Sequence, residues 1–411
     1  MPTLPFLRLR TAREPRERLP RDVYVLGLIA FFVMVGFGVV IPVLPVYVRG
    51  FGVGYLEVGA VVSAFAVARL AMTPFCGPLI DRMGERAALA TGIGIVAASS
   101  ALVGIAQNYP ELLLLRGAGG IGSALFSVSA TTLLLGSAPA HQRGRSMGFF
   151  QGGFVIGGMA GPAVGGLLAA ISLRAPFFFY AGTLVVAGVI GLLLLQPATA
   201  RGPRGTEPPI PLATVLRDRR FRAACISNFA QGWGSMGVRG SLIPVLVVEL
   251  LHSTAAWTGI AFAIAAVAQT LALGPAGRFV DTVGRRPAII GSFAVAAITL
   301  MAVPFVTELW MLIVLLCVYG VAAAFMGTAP AASVGDAAGG RSGKPVAIFS
   351  AFSDAGAIVG PLAAGALLDV FSYPAAFASA AVLMLLAAGY ALRMPRAEVL
   401  ATATAVSPEP A

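Results

Sequence analysis

The sequence predicts an all-α membrane protein with twelve transmembrane helices in two pseudo-symmetric six-helix halves. The first of three observations behind this is composition. Of 411 residues, 58% are hydrophobic and 11% charged, with a mean hydropathy of +0.89. A soluble chain carries about a quarter charged residues, so this one lacks the polar side chains to coat a wet surface. The second is that its apolar residues fall in repeated runs of roughly 18 to 26, each long enough to cross a ~30 Å hydrocarbon core as a helix. A soluble helical repeat would need a polar face along every helix, and these runs have none. The third is a charged turn that occurs twice between apolar runs. Gly77-Pro-Leu-Ile-Asp81-Arg82-Met-Gly84-Glu85-Arg86 returns two hundred residues later as Gly277-Arg-Phe-Val-Asp281-Thr-Val-Gly284-Arg285-Arg286. Such a return at matching positions marks an internal repeat.

Taken in order, residues 1–21 form a Pro- and Arg-rich tail, expected to be disordered and cytoplasmic. Spans are then expected at 22–48, 54–80, 87–107, 110–136, 146–171 and 175–196, forming the first half (22–196). The stretch 197–221, rich in Pro, Gly and Arg, reads as a cytoplasmic linker. The second half (222–393) holds spans at 222–251, 257–281, 287–306, 309–334, 344–369 and 373–393, and a cytoplasmic tail, 394–411, follows. Charge sets the orientation. Of 28 Arg and Lys residues, only Arg49 and Arg174 fall on the side away from the N-terminus, and Arg69, Arg116 and Arg239 lie inside spans. The rest occupy loops and tails on the N-terminal side. The positive-inside rule puts both termini and the linker in the cytoplasm of a multi-pass plasma-membrane protein, in a bacterium the cell inner membrane. Only an even number of spans allows that.

The net charge of +11 is spent on topology, so a nucleic-acid partner is not expected. Cys76, Cys225 and Cys317 stand far apart in apolar runs, which supports neither a disulfide framework nor a metal site. The first apolar run is too long for a signal peptide and no cleavage site follows it. No Ser/His pair, His/Asp/Glu cluster or Gly-rich phosphate cradle is present, so neither an enzyme, a cofactor nor ATP as driver is expected. The expected partners are a small-molecule substrate, protons and the lipid bilayer, with the protein itself a monomer.

The halves match beyond the charged turn. Gly38-Val-Val-Ile-Pro42-Val-Leu resembles Gly240-Ser-Leu-Ile-Pro244-Val-Leu, and Gly157-xxx-Gly161-Pro162-xx-Gly165-Gly166 resembles Gly356-xxx-Gly360-Pro361-xx-Ala364-Gly365. Glycines four apart share a helix face and admit another backbone, while a mid-span proline bends the rod. Either ordinary helix packing or an interface between moving halves would use that combination, and its presence in both halves favours the moving interface.

These residues resemble the major facilitator superfamily over nearly the whole chain. Gly77 to Arg86 looks like that family's loop signature between spans two and three, departing from it at Ile80 and Glu85. Span five matches the antiporter signature G-x-x-x-G-P-x-x-G-G. Arg116-xx-Gly119-Gly120-x-Gly122 resembles the span-four signature, with Gly119 where Gln is usual, and Pro42 and Pro45 resemble the twelve-span drug-efflux branch. The resemblance implies the major facilitator fold and a cytoplasmic gate. In that gate Asp81 lies near the start of span eleven and Arg82 and Arg86 pair with acidic groups of the other half, with Gly77, Gly84, Asp281, Gly284, Arg285 and Arg286 completing the frame. It also implies an influence of Arg116 on proton movement.

Charges inside a membrane are costly and face a cavity or a partner. Asp354 is the acid expected nearest the membrane centre. It is the first candidate for proton coupling, since burial makes a carboxyl easier to protonate near neutral pH, and Arg116 is the second. The competing reading of Asp354 is an ion pair with an arginine such as Arg239. Arg69 and Arg239 could bind an anionic substrate or pair with Asp354. With Phe37, Gln151, Trp233 and Met236 they are the candidate cavity wall, a surface suited to amphipathic molecules. Secondary active transport follows as the expected function: proton-coupled drug efflux, or antiport of small lipophilic or drug-like compounds, by alternating access. The alternatives are a proton-coupled carrier of a specific metabolite, a sugar or organic anion, and a membrane sensor without flux.

Overall fold

The computed structural model describes residues 18–139, 142–196, 212–338 and 343–395. The terminal tails and most of the linker lie outside them. The described residues are helical throughout, joined by short turns. The first half comprises α1 (Arg21–Val40), α2 (Leu44–Arg49), α3 (Tyr55–Met83), α4 (Glu85–Val103), α5 (Tyr109–Ser137), α6 (Arg143–Ile171) and α7 (Ala175–Leu194). After the short α8 (Leu212–Arg217) come α9 (Arg219–Gly232), a π-helical segment (Trp233–Arg239), α10 (Gly240–Glu249), α11 (Ala255–Thr282), α12 (Arg285–Ala302), α13 (Leu309–Ala338), α14 (Gly343–Val370) and α15 (Tyr373–Ala391). The face on which α1 begins is called the N-terminal face below, and the opposite one the distal face.

Eleven of these helices are individually long and apolar enough to cross a membrane. The remaining span is built in pieces, α9, the π segment and α10 end to end, because a π turn interrupts the regular ladder at Trp233–Arg239. Span one also breaks, at Ile41–Val43 between α1 and α2, beside Pro42.

Local chemistry explains the turns. Gly84 and Gly284 close the two charged turns with φ of 81° and 114°, a left-handed backbone that costs glycine little and other residues much. Asn108 caps α5 by accepting from the Glu111 amide at 2.9 Å, and the Glu111 carboxylate accepts from the Gln107 amide at 3.1 Å. Asp218 caps α9 from the Arg220 amide at 2.7 Å.

Each half has its own apolar core. One runs from Leu19 to Leu195 and centres on residues such as Leu26, Ile29, Leu112 and Phe177. The other runs from Ala223 to Met394 and includes Phe262, Phe293, Tyr319 and Phe377. Within the first half, Gly157, Gly161 and Gly165 lie on one stripe of α6 against α1. A Cβ at Gly161 would stand 2.6 Å from the Gly38 Cα, and one at Gly165 2.3 Å from the Val39 carbonyl oxygen. In the second half Gly356 and Gly360 meet α9 and the π segment at Phe229 and Trp233 in the same way. These glycines therefore seal helix pairs inside a half, which corrects the expectation that the whole motif is an interface between halves. Gly166 does cross it: one residue further round α6, it faces Gly259 of α11.

Candidate functional site

A cavity of about 410 Å³ lies between the halves, walled by α1, α3, α5, α6 and α7 on one side and by α9, the π segment and α14 on the other. Arg69 of α3 forms an ion pair across it with Asp354 of α14. The pair is partly exposed, with 38% of the Arg69 side chain and 24% of the Asp354 side chain accessible. Arg116 of α5 also lines the cavity and is 93% buried, since only 7% of it is exposed. It has no carboxylate partner among the described residues. Its guanidinium lies over the Phe65 ring, 4.8 Å from the centroid, and its Nε has no hydrogen-bond partner. Phe37 stacks beside Phe65 at 5.9 Å, and Met236, Gln231 and Asn228 face the cavity from the second half.

Three expected wall residues lie elsewhere. Trp233 turns outward between α14 and α15, where its indole donates to Ser379 Oγ at 3.2 Å and lines a separate apolar groove. Gly360 packs against its backbone, so the side chain has that outward direction left to it. Gln151 is exposed on α6 outside the cavity wall. Arg239 points into the second half, 4.9 Å from the Phe262 centroid and 5.7 Å from that of Tyr319. Asp354 thus meets Arg69 rather than Arg239.

Toward the distal face the halves are locked together. Arg49, ending α2, donates through Nε to Glu249 of α10 at 2.9 Å, and its guanidinium stands 4.3 Å from the Tyr55 centroid. The Tyr55 hydroxyl donates to the other Glu249 oxygen. Asp369, near the end of α14, accepts from the Tyr55 amide at 2.9 Å and the Leu56 amide at 2.7 Å, capping α3 from the opposite half. One level deeper the Ser63 hydroxyl donates to the Ile358 carbonyl at 2.6 Å, and beside it a Cβ at Gly59 would stand 2.1 Å from the Pro361 oxygen. A Cβ at Gly166 would reach 3.1 Å from the Gly259 Cα. About four turns nearer the N-terminal face on the same two helices, Gly152 and Gly274 each have open space where a Cβ would sit, as do Gly148 and Gly277. The α6–α11 pair is shut distally and parted toward the N-terminal face.

The comparisons with known proteins agree with this geometry. The family model described as "Major Facilitator Superfamily" matches residues 26–238 and again 224–407. The chain belongs to the Major Facilitator Superfamily. Its members here are transporters, not enzymes. The quinolone resistance protein NorA of Staphylococcus aureus (strain COL) is 25% identical over 354 residues, covering 85% of this chain and 90% of that protein. The multidrug resistance protein MdtG of Serratia proteamaculans (strain 568) is 27% identical over 392 residues, covering 90% and 92%. Among solved structures, the inward-facing, unoccupied form of a bacterial homolog of the human lysosomal transporter Spinster has a TM-score of 0.73 at 16% identity, covering 90% of this chain and 94% of that one. That likeness shows the fold. The chain is accordingly a multi-pass membrane transporter of the major facilitator fold, carrying a small-molecule substrate.

Within this superfamily member the two charged turns differ. Arg285 pairs with Asp336 at the end of α13, Nε to Oδ2 at 2.8 Å. The first-half copy has Glu85 at the place of Arg285 and Gly136 near the place of Asp336, so this ion pair has no counterpart there. Arg86 is partly buried with Nε lacking a hydrogen-bond partner, Arg82 and Asp81 are exposed at the end of α3, and Gly77 faces open space. Asp281 is exposed and Arg286 partly buried. Sequence reasoning missed Glu249 and Asp369. Their signal was weak but present: each is an isolated acid at the distal end of an apolar run.

Proposed function

We propose that this protein is a secondary active transporter that exports small, mostly apolar, drug-like compounds in exchange for protons, by alternating access around the central cavity. One observation carries the reading. The cavity between the halves holds a single carboxylate among its described lining residues, Asp354, and that carboxylate bridges the two halves through Arg69. A proton taken up by Asp354 removes the charge that holds Arg69, so protonation and the relation of the halves are tied at one bond. The aromatic wall suits amphipathic cargo. The resistance names of NorA and MdtG point the same way.

The distal lock and the parted glycines of α6 and α11 support reading this conformation as open to the N-terminal face. With positive loops inside, that face is cytoplasmic, both termini lie there, and the protein sits in the plasma membrane. The two separate cores support a division into six-helix halves near 197–221. In the opposite state, Asp81, Arg82 and Arg86 close the cytoplasmic side.

The test is proton flux in proteoliposomes under an imposed pH gradient, with lipophilic cations, neutral drugs, sugars and organic acids added in turn. Proton movement on adding a drug-like compound is the expected result. A response to sugars alone would replace this reading with a metabolite carrier.

A further inference from the structure

We infer that the cargo carries a single anionic group, a carboxylate on an aromatic body, and that Arg116 binds it. This rests on the central cavity being the transport site and goes further by naming the chemical class that fits.

Charge leads the argument. The Arg, Lys, Asp and Glu side chains on the described wall are Arg69, Arg116 and Asp354. Arg69 and Asp354 neutralise one another as an ion pair. That leaves Arg116, 93% buried, with no carboxylate beside it among the described residues. Its guanidinium lies against the face of Phe65, 4.8 Å away. A cation–π contact offsets only part of what it costs to withdraw an unpaired ion from water. The cavity wall is therefore one positive charge out of balance, in surroundings where a fixed charge acts strongly.

Geometry narrows the ligand. Arg116 lines the cavity, and its guanidinium is a planar fork that matches a planar carboxylate through two parallel bonds. One uncompensated charge matches a monoanion, and a dianionic phosphate would leave the site negative by one. Phe37, Phe65, Phe126, Phe154 and Tyr180 supply aromatic faces around the same space, and a volume near 410 Å³ admits a compound of two or three rings. A lipophilic cation would have to enter against Arg116 and compete with Arg69 for Asp354.

Three probes on one skeleton test this: a naphthoate, its methyl ester and the corresponding naphthylmethylamine. Binding to purified wild-type protein is read by ligand-dependent thermal shift, and transport by proton flux in proteoliposomes. The naphthoate is expected to bind roughly tenfold or more tightly than the ester, the scale of a charged hydrogen-bonded pair, with the amine weakest. In Arg116→Gln the ratio of naphthoate to ester affinity is expected to fall toward one, and in Arg116→Lys, which keeps the charge without the fork, to lie between. If neither variant folds, the wild-type ratio decides alone. Ester or amine bound and moved at least as well as the naphthoate overturns the inference and leaves the transport reading standing. Failure of all three to bind or to move protons counts against the cavity as a site for amphipathic cargo and removes the inference with it.

Discussion

Glu249→Gln tests the distal lock directly. Glu249 joins the halves by accepting from Arg49 Nε at 2.9 Å and from the Tyr55 hydroxyl. The two charged side chains are 30% and 32% exposed, so the pair is neither a surface pair nor a fully buried one. Exposed pairs contribute about 0–1 kcal/mol, and hydrogen bonds to charged groups about 1.5–3 kcal/mol. Glutamine keeps an acceptor for Tyr55 and loses the charge facing Arg49, which leaves a cost of about 1.4 kcal/mol for the distally closed state. That is about a tenfold rise in the population open on the distal side. The reporter is Ser63→Cys in a background where Cys76, Cys225 and Cys317 are replaced by alanine. Ser63 is 2% exposed, and its hydroxyl is bound to α14 in this state. A membrane-impermeant thiol reagent applied from the distal side reaches it only after the halves part there, so the labelling rate is expected to rise about tenfold. Arg49→Gln should do the same, and the double variant should add little, because both remove one interaction. An unchanged or slower labelling rate in Glu249→Gln would refute the reasoning.

Three further outcomes follow from the geometry. Asp354→Asn is expected to lower proton-driven flux by about 100-fold or more, the scale of losing a positioned proton-transfer group, while the partial exposure of its pair keeps the stability loss near 1 kcal/mol. PH-driven flux at the wild-type rate, measured in proteoliposomes, would dismiss Asp354 as the carrier. Gly152→Leu finds open space in this conformation, so purified protein should melt within a few degrees of wild type. Turnover should nonetheless fall at least about tenfold, because α6 and α11 can no longer meet at the N-terminal face; normal turnover would place that closure elsewhere. Asp81→Asn is expected to shift the protein toward the conformation described here, read as faster labelling of Ser353→Cys from the N-terminal side, and no change would count against the proposed lock at the charged turn.

The chain's class was legible because it follows from composition and length. Too few polar side chains and repeated apolar runs leave a membrane bundle as the outcome. The glycines at 84 and 284 were legible for a similar local reason, since a tight charged turn between helices needs a left-handed residue. The broken span was not. Residues 222–251 read as one run, while the structure divides it around the π segment at Trp233–Arg239. The antiporter-type glycines were legible as a close-packing stripe and misread as to their partner. Periodicity says that Gly157, Gly161 and Gly165 share a face, and nothing in it says that α1 of the same half covers that face.

Trp233 and Arg239 show where sequence reasoning ends. Both sit in an apolar run among residues that do line the cavity, and a helix apolar all round carries no stripe to say which way a side chain points. Local sequence thus determined the membrane class, the spans, the charged turns and the inventory of intramembrane charges, because each depends on residues within a few turns of one another. Only the tertiary structure decided that Asp354 meets Arg69, that Glu249 meets Arg49, that Asp369 caps a helix of the other half, and that Arg116 has only an aromatic face. The first three of those facts depend on the rotation and tilt of helices whose contacting residues are about 200 to 300 positions apart, the fourth on how two helices of one half turn toward each other, and both are set by how helix surfaces pack.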